Sequence, residues 1–493
     1  MRVPVSPPTQ LDSIPIEKIV LNPNCRDAII PILTALQAIY SRPDRDAVLK
    51  LVGADINPKS SPERGRSGIT YWQILVLAAV RLGCNFDYDH LQDLAENHAT
   101  LRRMMGIGSW EDEKPSSWDW RRIRDNLCKL RPETLAKINQ LVVAVGHELE
   151  PAAVETVRGD TFVVETNIHY PTDANLLADA VRVLLRQGKK LAKLLLLQGF
   201  RQASHLYTRA RKLLRAINQA CKSKKAGATQ RRQAAYRPLL KLVTKLLRKC
   251  RVTANAADEA IAANPDTTVE AVSVSAELRK FMGLAERVRD CAERRVLRGE
   301  SVPNADKIFS LFEEHTELIR RGKTPNPIQF GHRVMVWEDR FGFIVHYEVV
   351  AKGLVDSDIA KESLTKAQAK VGGKIKEASL DRGFDSPANR RELPEVADEI
   401  CMPIRGYKQA EEQEAEATEQ FQKLRRRHAG IESAINALEF SNGLERCRDK
   451  TENGYQRYVG IAILGRNLHV LGKLILSKRD PDSQASASRR KQD

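Results

Sequence analysis

Three acidic residues carry the chemistry that this sequence could perform. Asp160 interrupts a β-like run, RGDTFVVET (158–166), Asp381 closes a second short run just before Arg-Gly-Phe, and Glu432 lies in a helical stretch, HAGIESAINALE (428–439). Carboxylate oxygens are the ligands Mg2+ favours, and one or two per ion suffice because the ion keeps several waters. Two such ions about 3.5–4 Å apart activate a nucleophile and stabilise the leaving oxygen in phosphodiester cleavage. Taken singly, each acid has an ordinary explanation: a bend in a strand, a strand-to-helix turn, a helix surface. As a strand interior, a strand end and a helix face, the three can converge on one end of a sheet. Gly383 lets the backbone turn closely after Asp381. Asp173, in Pro-Thr-Asp, reads as a helix N-cap, with Thr172 as the other candidate.

The elements that must position these groups follow from periodicity. Residues 1–65 are Pro-rich and irregular, with one apolar helical stretch at 27–40. From 66 to 150, apolar residues recur at three- and four-residue spacing, which predicts a helical domain, with Pro132 placed to start a helix. Near Val154 the period changes to two, predicting a strand, followed by a helix from Pro-Thr-Asp. The β pattern returns at HRVMVWEDRFGFIVHYEVV (332–350), two alternating runs around a turn, which is a hairpin signal. Helix, short strand, helix, strand and a long helical stretch from Glu411 then succeed one another. More than 150 residues separate the first strand from the hairpin, too many for a loop. The expected class is therefore α/β. A mixed-sheet core at 151–178 and 329–475 is interrupted by an all-helical insertion at 179–328 and preceded by the helical N-terminal domain. The tail, 476–493, is poor in apolar residues and is expected to be disordered.

Charge identifies a partner for the insertion. The chain of 493 residues carries a net +17, and residues 181–250 hold 20 Lys or Arg with no Asp or Glu. A polyanion is the natural partner of such a block, since each neutralised phosphate releases condensed counterions. Nucleic acid fits better than an anionic membrane surface. No run is expected to reach the ~20 apolar residues of a membrane span, and no signal peptide is read at the N-terminus, so a cytoplasmic protein is expected. Eight scattered cysteines without a C-x-x-C motif speak against a zinc site or a disulfide framework and read as reduced, mostly buried thiols.

Several strings, taken in order, carry a family resemblance: GDTFVVETNIHYPTDANLL, KIFSLFEEHTELIRRGK, LDRGF, RRRHAGIESAINALE and NGLERCRDKTENGYQRYVGIAILGRNLHVLG. Together with YWQILVLAAVRLGCNFDYDHLQDLAENHATLRRMMGIG, they resemble insertion-sequence transposases of the ISNCY type over roughly residues 65 to 475. That resemblance implies a DDE transposase with an RNase H-like core, in which Asp160, Asp381 and Glu432 form the catalytic triad and hold Mg2+, with Mn2+ as a substitute. It implies DNA as partner, both terminal inverted repeats and target, and a dimer or larger assembly that joins two ends. A nuclease of the same fold without strand transfer, and a catalytically inactive DNA-binding protein, are the alternatives. Related transposases carry Tyr-x2-Arg-x3-Glu-x6-Lys around the helix glutamate; here those positions hold Arg425, His428, Glu432 and Glu439, so the lysine is replaced by an acid. Arg425 and His428 remain candidates for phosphate contact, as do Arg446 and Arg448 in LERCRDK. Asn467 and His469, on a helix with an apolar face, read as structural.

Overall fold

The computed structural model describes residues 2–5, 14–57, 68–108, 118–223, 225–263, 268–320 and 327–479. Within these, the chain forms two units, one of residues 1–167 with 331–493 and one of residues 168–330.

In the first unit the N-terminal helices are α1 (Ile29–Tyr40), α2 (Arg45–Ile56), α3 (Tyr71–Gly83), α4 (Tyr88–Asn97), α5 (Ala99–Met104), α6 (Trp120–Leu127) and α7 (Pro132–Leu149). Local chemistry sets their ends. Thr70 and Gln73 form a reciprocal capping box at the start of α3, and Pro132 occupies the first turn of α7, where its missing N–H has no cost. α2 was not expected, since the first 65 residues read as irregular apart from 27–40. Its mean character is only weakly apolar, yet Val48, Leu49, Val52 and Ile56 turn one face inward.

Strand β1 (Thr156–Thr166) leads out of this helical part, and the unit resumes in β3 (Ile328–Asp339) and β4 (Ile344–Val349), the expected hairpin. Between them lies the second unit, with α8 (Asp173–Leu194), α9 (Ala203–Lys222), α10 (Ala228–Ala263), α11 (Val269–Ala292) and the short strand β2 (Glu317–Arg320), which pairs with β3. After β4 come α12 (Asp356–Lys370), β5 (Glu377–Ser379), α13 (Pro387–Glu392), β6 (Glu399–Cys401), α14 (Ala410–Ala417), α15 (Glu419–His428), α16 (Ile431–Asn436), β7 (Arg446–Cys447) and α17 (Glu452–Arg479). The long helix expected from Glu411 is therefore three short ones. Thr418 caps α15 through Phe421 N–H, and the chain turns again at Gly430.

The sheet is mixed. β1 runs antiparallel to β3, and β3 antiparallel to β4, while β5 is parallel to β1 and β6 parallel to β5. The order β4-β3-β1-β5-β6 places β1 at the centre, and β7 adds a short parallel pairing at its far end. One hydrophobic core joins the N-terminal helices to the sheet, from Ile32 and Trp72 to Phe162, Trp337 and Leu464. The region 66–150 is thus not a separate body; it shares this core with the strands.

α17 corrects two expectations. It runs on to Arg479, past the expected start of the tail; residues 480–493 lie outside the described part. It is also long and apolar enough to cross a membrane by length and composition, which was not foreseen, although 61% of its most apolar window is buried in the fold. Its buried polar residues explain that placement. Asn467 accepts from Ile344 N–H (2.8 Å) and donates to Ile344 C=O (2.9 Å) and to Asn139 (2.8 Å), locking the helix to β4 and α7. Arg457 donates to Cys128 C=O at 2.8 Å and pairs with Asp449 at 3.3 Å. Gly465 and Gly83 let α17 and α3 touch backbone to backbone: a Cβ on Gly465 would stand 2.6 Å from Gly83 Cα.

The second unit has its own apolar core, with Leu177, Leu184, Leu239, Val243, Leu246 and Leu278 at its centre. All eight cysteines are free; four are buried, two partly so, and Cys25 and Cys221 are exposed.

Candidate functional site

The site grows from the register between β1 and β5. Thr156 pairs with Glu377 and Arg158 with Ser379, a constant offset of 221. The pairing ends there: Asp160, still in β1, and Asp381, just after the end of β5, each lie two residues beyond the last pair. The two aspartates named from sequence thus both follow the same pairing, although 221 positions separate them. Each has a local hydrogen bond that fixes its carboxylate: Asp160 accepts from Thr161 N–H at 2.7 Å, and Asp381 from Gly383 N–H at 2.7 Å. Asp381 is exposed and Asp160 partly so.

Glu432 arrives on α16, which packs on β1 together with α15. One side chain makes the junction. The guanidinium of Arg158, two residues before Asp160 on the same strand face, pairs with buried Glu338 on β3 at 2.5 Å. It also donates to Arg427 C=O at 2.8 Å, in the last turn of α15. Gly430, between α15 and α16, rests on that group so closely that a Cβ would fall 2.1 Å from Arg158 Nη1. Burial raises the carboxyl of Glu338, and Arg158 works against it. A second clamp holds α15 on β5. Glu377 accepts from Thr156 Oγ1 (2.7 Å), Gln420 (2.8 Å) and Arg427 (3.0 Å). Burial raises this carboxyl, but those bonds and the Arg427 charge hold it below its usual range.

His428 closes α15 at the same place. Its Nδ1 lies 3.3 Å from Ser379 Oγ, beside the end of β5. Burial lowers the imidazole, the negative charges of Asp381 and Glu432 oppose this, and Arg158 adds to it. His428 thus lies among Asp381, Glu432 and Arg158. Asp381, Glu432 and His428 lie near one another beside the end of β5, and Asp160 lies two residues past the β1/β5 pairing on β1. Among the described residues, no group of three or more His, Cys, Asp or Glu side chains is placed to hold a metal ion.

The other candidates lie elsewhere. Arg446 pairs with Glu165 at 2.8 Å, five residues along β1 from Asp160, which is about 16 Å. Arg448 donates to Asn85 (2.6 Å) and to Tyr458 (2.9 Å), an internal structural role. Arg425 is exposed on α15, where its charge is felt by Cys401 and Glu416. Glu439 stands in a π turn after α16. Thr172 caps α8 by accepting from Asn175 N–H at 3.1 Å, so the helix is capped by the threonine; Asp173 follows it and pairs with Arg295 at 2.9 Å.

Sequence reading missed Asp356, at the start of α12. Its Oδ1 accepts from Thr161 Oγ1 at 3.1 Å and Arg333 at 3.0 Å. Its Oδ2 and both oxygens of Asp381 lie within 4 Å of one point beside Gly383. The sequence marked it only as a helix start. It also missed the pair Arg158 and Glu338, which stand among other charged residues on β1 and β3 and so gave no distinct signal.

Compared with known proteins, the chain matches no family model, no curated protein and no solved structure.

Proposed function

We propose that this chain is a DNA transposase of the DDE type with an RNase H-like core. The observation that supports this reading is the parallel pairing of β1 with β5, after which Asp160 and Asp381 each follow by two residues, with α16, which carries Glu432, packed on β1. An antiparallel half continued by parallel strands, with an acid on the first strand and another at the end of the first parallel one, supports the RNase H-like assignment.

Asp160, Asp381 and Glu432 would hold Mg2+, with Mn2+ as a substitute. Mg2+ takes only one or two protein carboxylates and completes its shell with water and phosphate. When bound, the ion supplies Lewis-acid polarisation of the phosphoryl group and lowers the pKa of water. The chain's own residues do the rest. Arg158 and Glu377 fix α15 and α16 against the strands, which sets where Glu432 stands. Burial favours the neutral form of His428, against the pull of Asp381 and Glu432. The scissile phosphodiester is hydrolysed at an element end, leaving a 3′-hydroxyl that attacks a target phosphodiester in line. Positioning and charge neutralisation supply most of the rate. The protein acts on the inverted repeats of its own element and on target DNA, in the cytoplasm at the nucleoid. It works as a dimer or larger assembly, because two ends must be joined, and the basic second unit holds the DNA backbone.

The test is excision and reinsertion of a marked element with its native flanking DNA. Asp160→Asn, Asp381→Asn and Glu432→Gln each abolish movement while DNA binding persists; Asp173→Asn, in an ion pair of the other unit, leaves it intact. If wild type cuts the ends but never joins them to target, the protein is a nuclease. If it binds and never cuts, the chain is a DNA-binding protein only.

A further inference from the structure

We infer that the second unit binds the sugar–phosphate backbone of duplex DNA in a groove along α10. This deepens the nucleic-acid reading and rests on it. The groove, of about 970 Å³, lies between α9 and α10 and is lined by Arg209, Arg237, Lys241, Lys245 and Arg248. On α10 the four bases are spaced by four, four and three residues, so they form one stripe about 16 Å long. All five are exposed. Among the described residues none of the five is in an ion pair, whereas Arg182 and Lys190 of the same basic block are held by Asp179 (2.9 Å) and Glu270 (2.8 Å). Five unpaired cations around one concavity repel one another, and a polyanion relieves that repulsion.

The lining also selects among polyanions. It contains no aromatic ring, and binders of single strands stack bases on such rings. Cations alone read charge and spacing, as duplex backbone contact requires. One carboxylate, Glu293, borders the groove and opposes an anion there.

The experiment is a salt titration of full-length protein binding to a random-sequence duplex, followed by anisotropy. Each phosphate contact contributes about 0.9 to the slope of log K against log salt. The variant Arg237→Gln, Lys241→Gln, Lys245→Gln, Arg248→Gln loses about 3 to 4 from that slope. Glutamine is a good helix former, so its circular dichroism and melting stay those of wild type. Lys189→Gln, Lys193→Gln, Lys222→Gln, Lys225→Gln removes the same charge away from the groove and loses less than about 1. Glu293→Gln tightens binding at low salt. An unchanged slope in the groove variant with wild-type binding intact overturns the groove assignment alone. A preference for single strands, or binding to phosphatidylserine vesicles but not to duplex, overturns the duplex assignment. A wild-type protein without salt-dependent affinity for DNA removes the transposase reading as well.

Discussion

Arg158 decides more than its position two residues before Asp160 implies. It is the shared partner of buried Glu338 and of the last turn of α15, so it links two strands to the helices that bring Glu432. Removing it alone leaves Glu338 buried without its closest counter-charge, a change that costs about 3–5 kcal/mol in comparable pairs. Arg158→Ala is therefore expected to unfold at markedly lower urea and to lose cleavage. Arg158→Met with Glu338→Leu and Arg466→Leu, which removes the second base beside that carboxylate, separates the two effects. An apolar cluster of similar volume is close to neutral for stability, so the urea midpoint recovers. The bond to Arg427 C=O does not return, so cleavage stays at least about tenfold down, one order of magnitude being about 1.4 kcal/mol. Recovery of both would show that Arg158 serves stability only. At this scale the positions of Asp160 and Asp381 in the fold were legible, because an acid inside a strand or just before a Gly turn stands out against its neighbours. Arg158 and Asp356 were not. Their meaning depends on Glu338 and on Gly383, residues that only the fold brings near.

Short elements were the hardest to read, and one of them places Glu432. The acid-rich run from Glu411 has helical composition throughout, so nothing local announces that it breaks at Thr418 and Gly430. The break at Gly430 is required by contact: α16 meets Arg158 where a side chain has no room. Gly430→Ala is expected to displace α16, costing about 1–3 kcal/mol as other overpacked sites do and lowering cleavage more than duplex binding. Equal losses in both would place the defect in the fold as a whole. α17 makes a pH-dependent contribution. Burial lowers the His469 imidazole to about 4, with Lys473 and Arg466 adding to the effect. His428 and His346 are lowered in the same direction, in each case first by burial. A histidine with a folded pKa below its unfolded value, about 6.5, is protonated first in the unfolded chain. Its penalty is absent above that value and grows as pH falls toward the folded pKa. Stability is thus expected to be flat from pH 8 to about 7 and to decline from 6.5 to 5. In that window His469→Gln shows a shallower decline in urea midpoint than wild type, and an identical decline would take His469 out of the account.

The two-unit organisation was legible from two coarse facts, an acid-free basic stretch and a gap too long for a loop. The union of the N-terminal helices with the sheet was not, because shared burial leaves no mark on helical periodicity. The geometry of the insertion makes a prediction about the whole chain. Glu165 and Gly331 are paired residues of β1 and β3, so the polypeptide leaves and re-enters the sheet at positions about 5 Å apart. Each unit also has its own apolar core. Replacing residues 168–330 by Asn-Gly closes β1 and β3 into a hairpin with a short loop of a common length. That protein is expected to fold cooperatively, with a single urea transition and the sheet intact by hydrogen exchange. It retains the carboxylate site but loses the groove on α10. Its affinity for a random duplex then falls steeply and with a smaller salt slope, while Mg2+-dependent nicking of DNA at high concentration persists. A molten product, with helix content but no cooperative transition, would mean that the sheet depends on the inserted unit for its stability. A folded product with undiminished duplex affinity would move the principal DNA contact from the insertion to the unit that carries Asp160, Asp381 and Glu432.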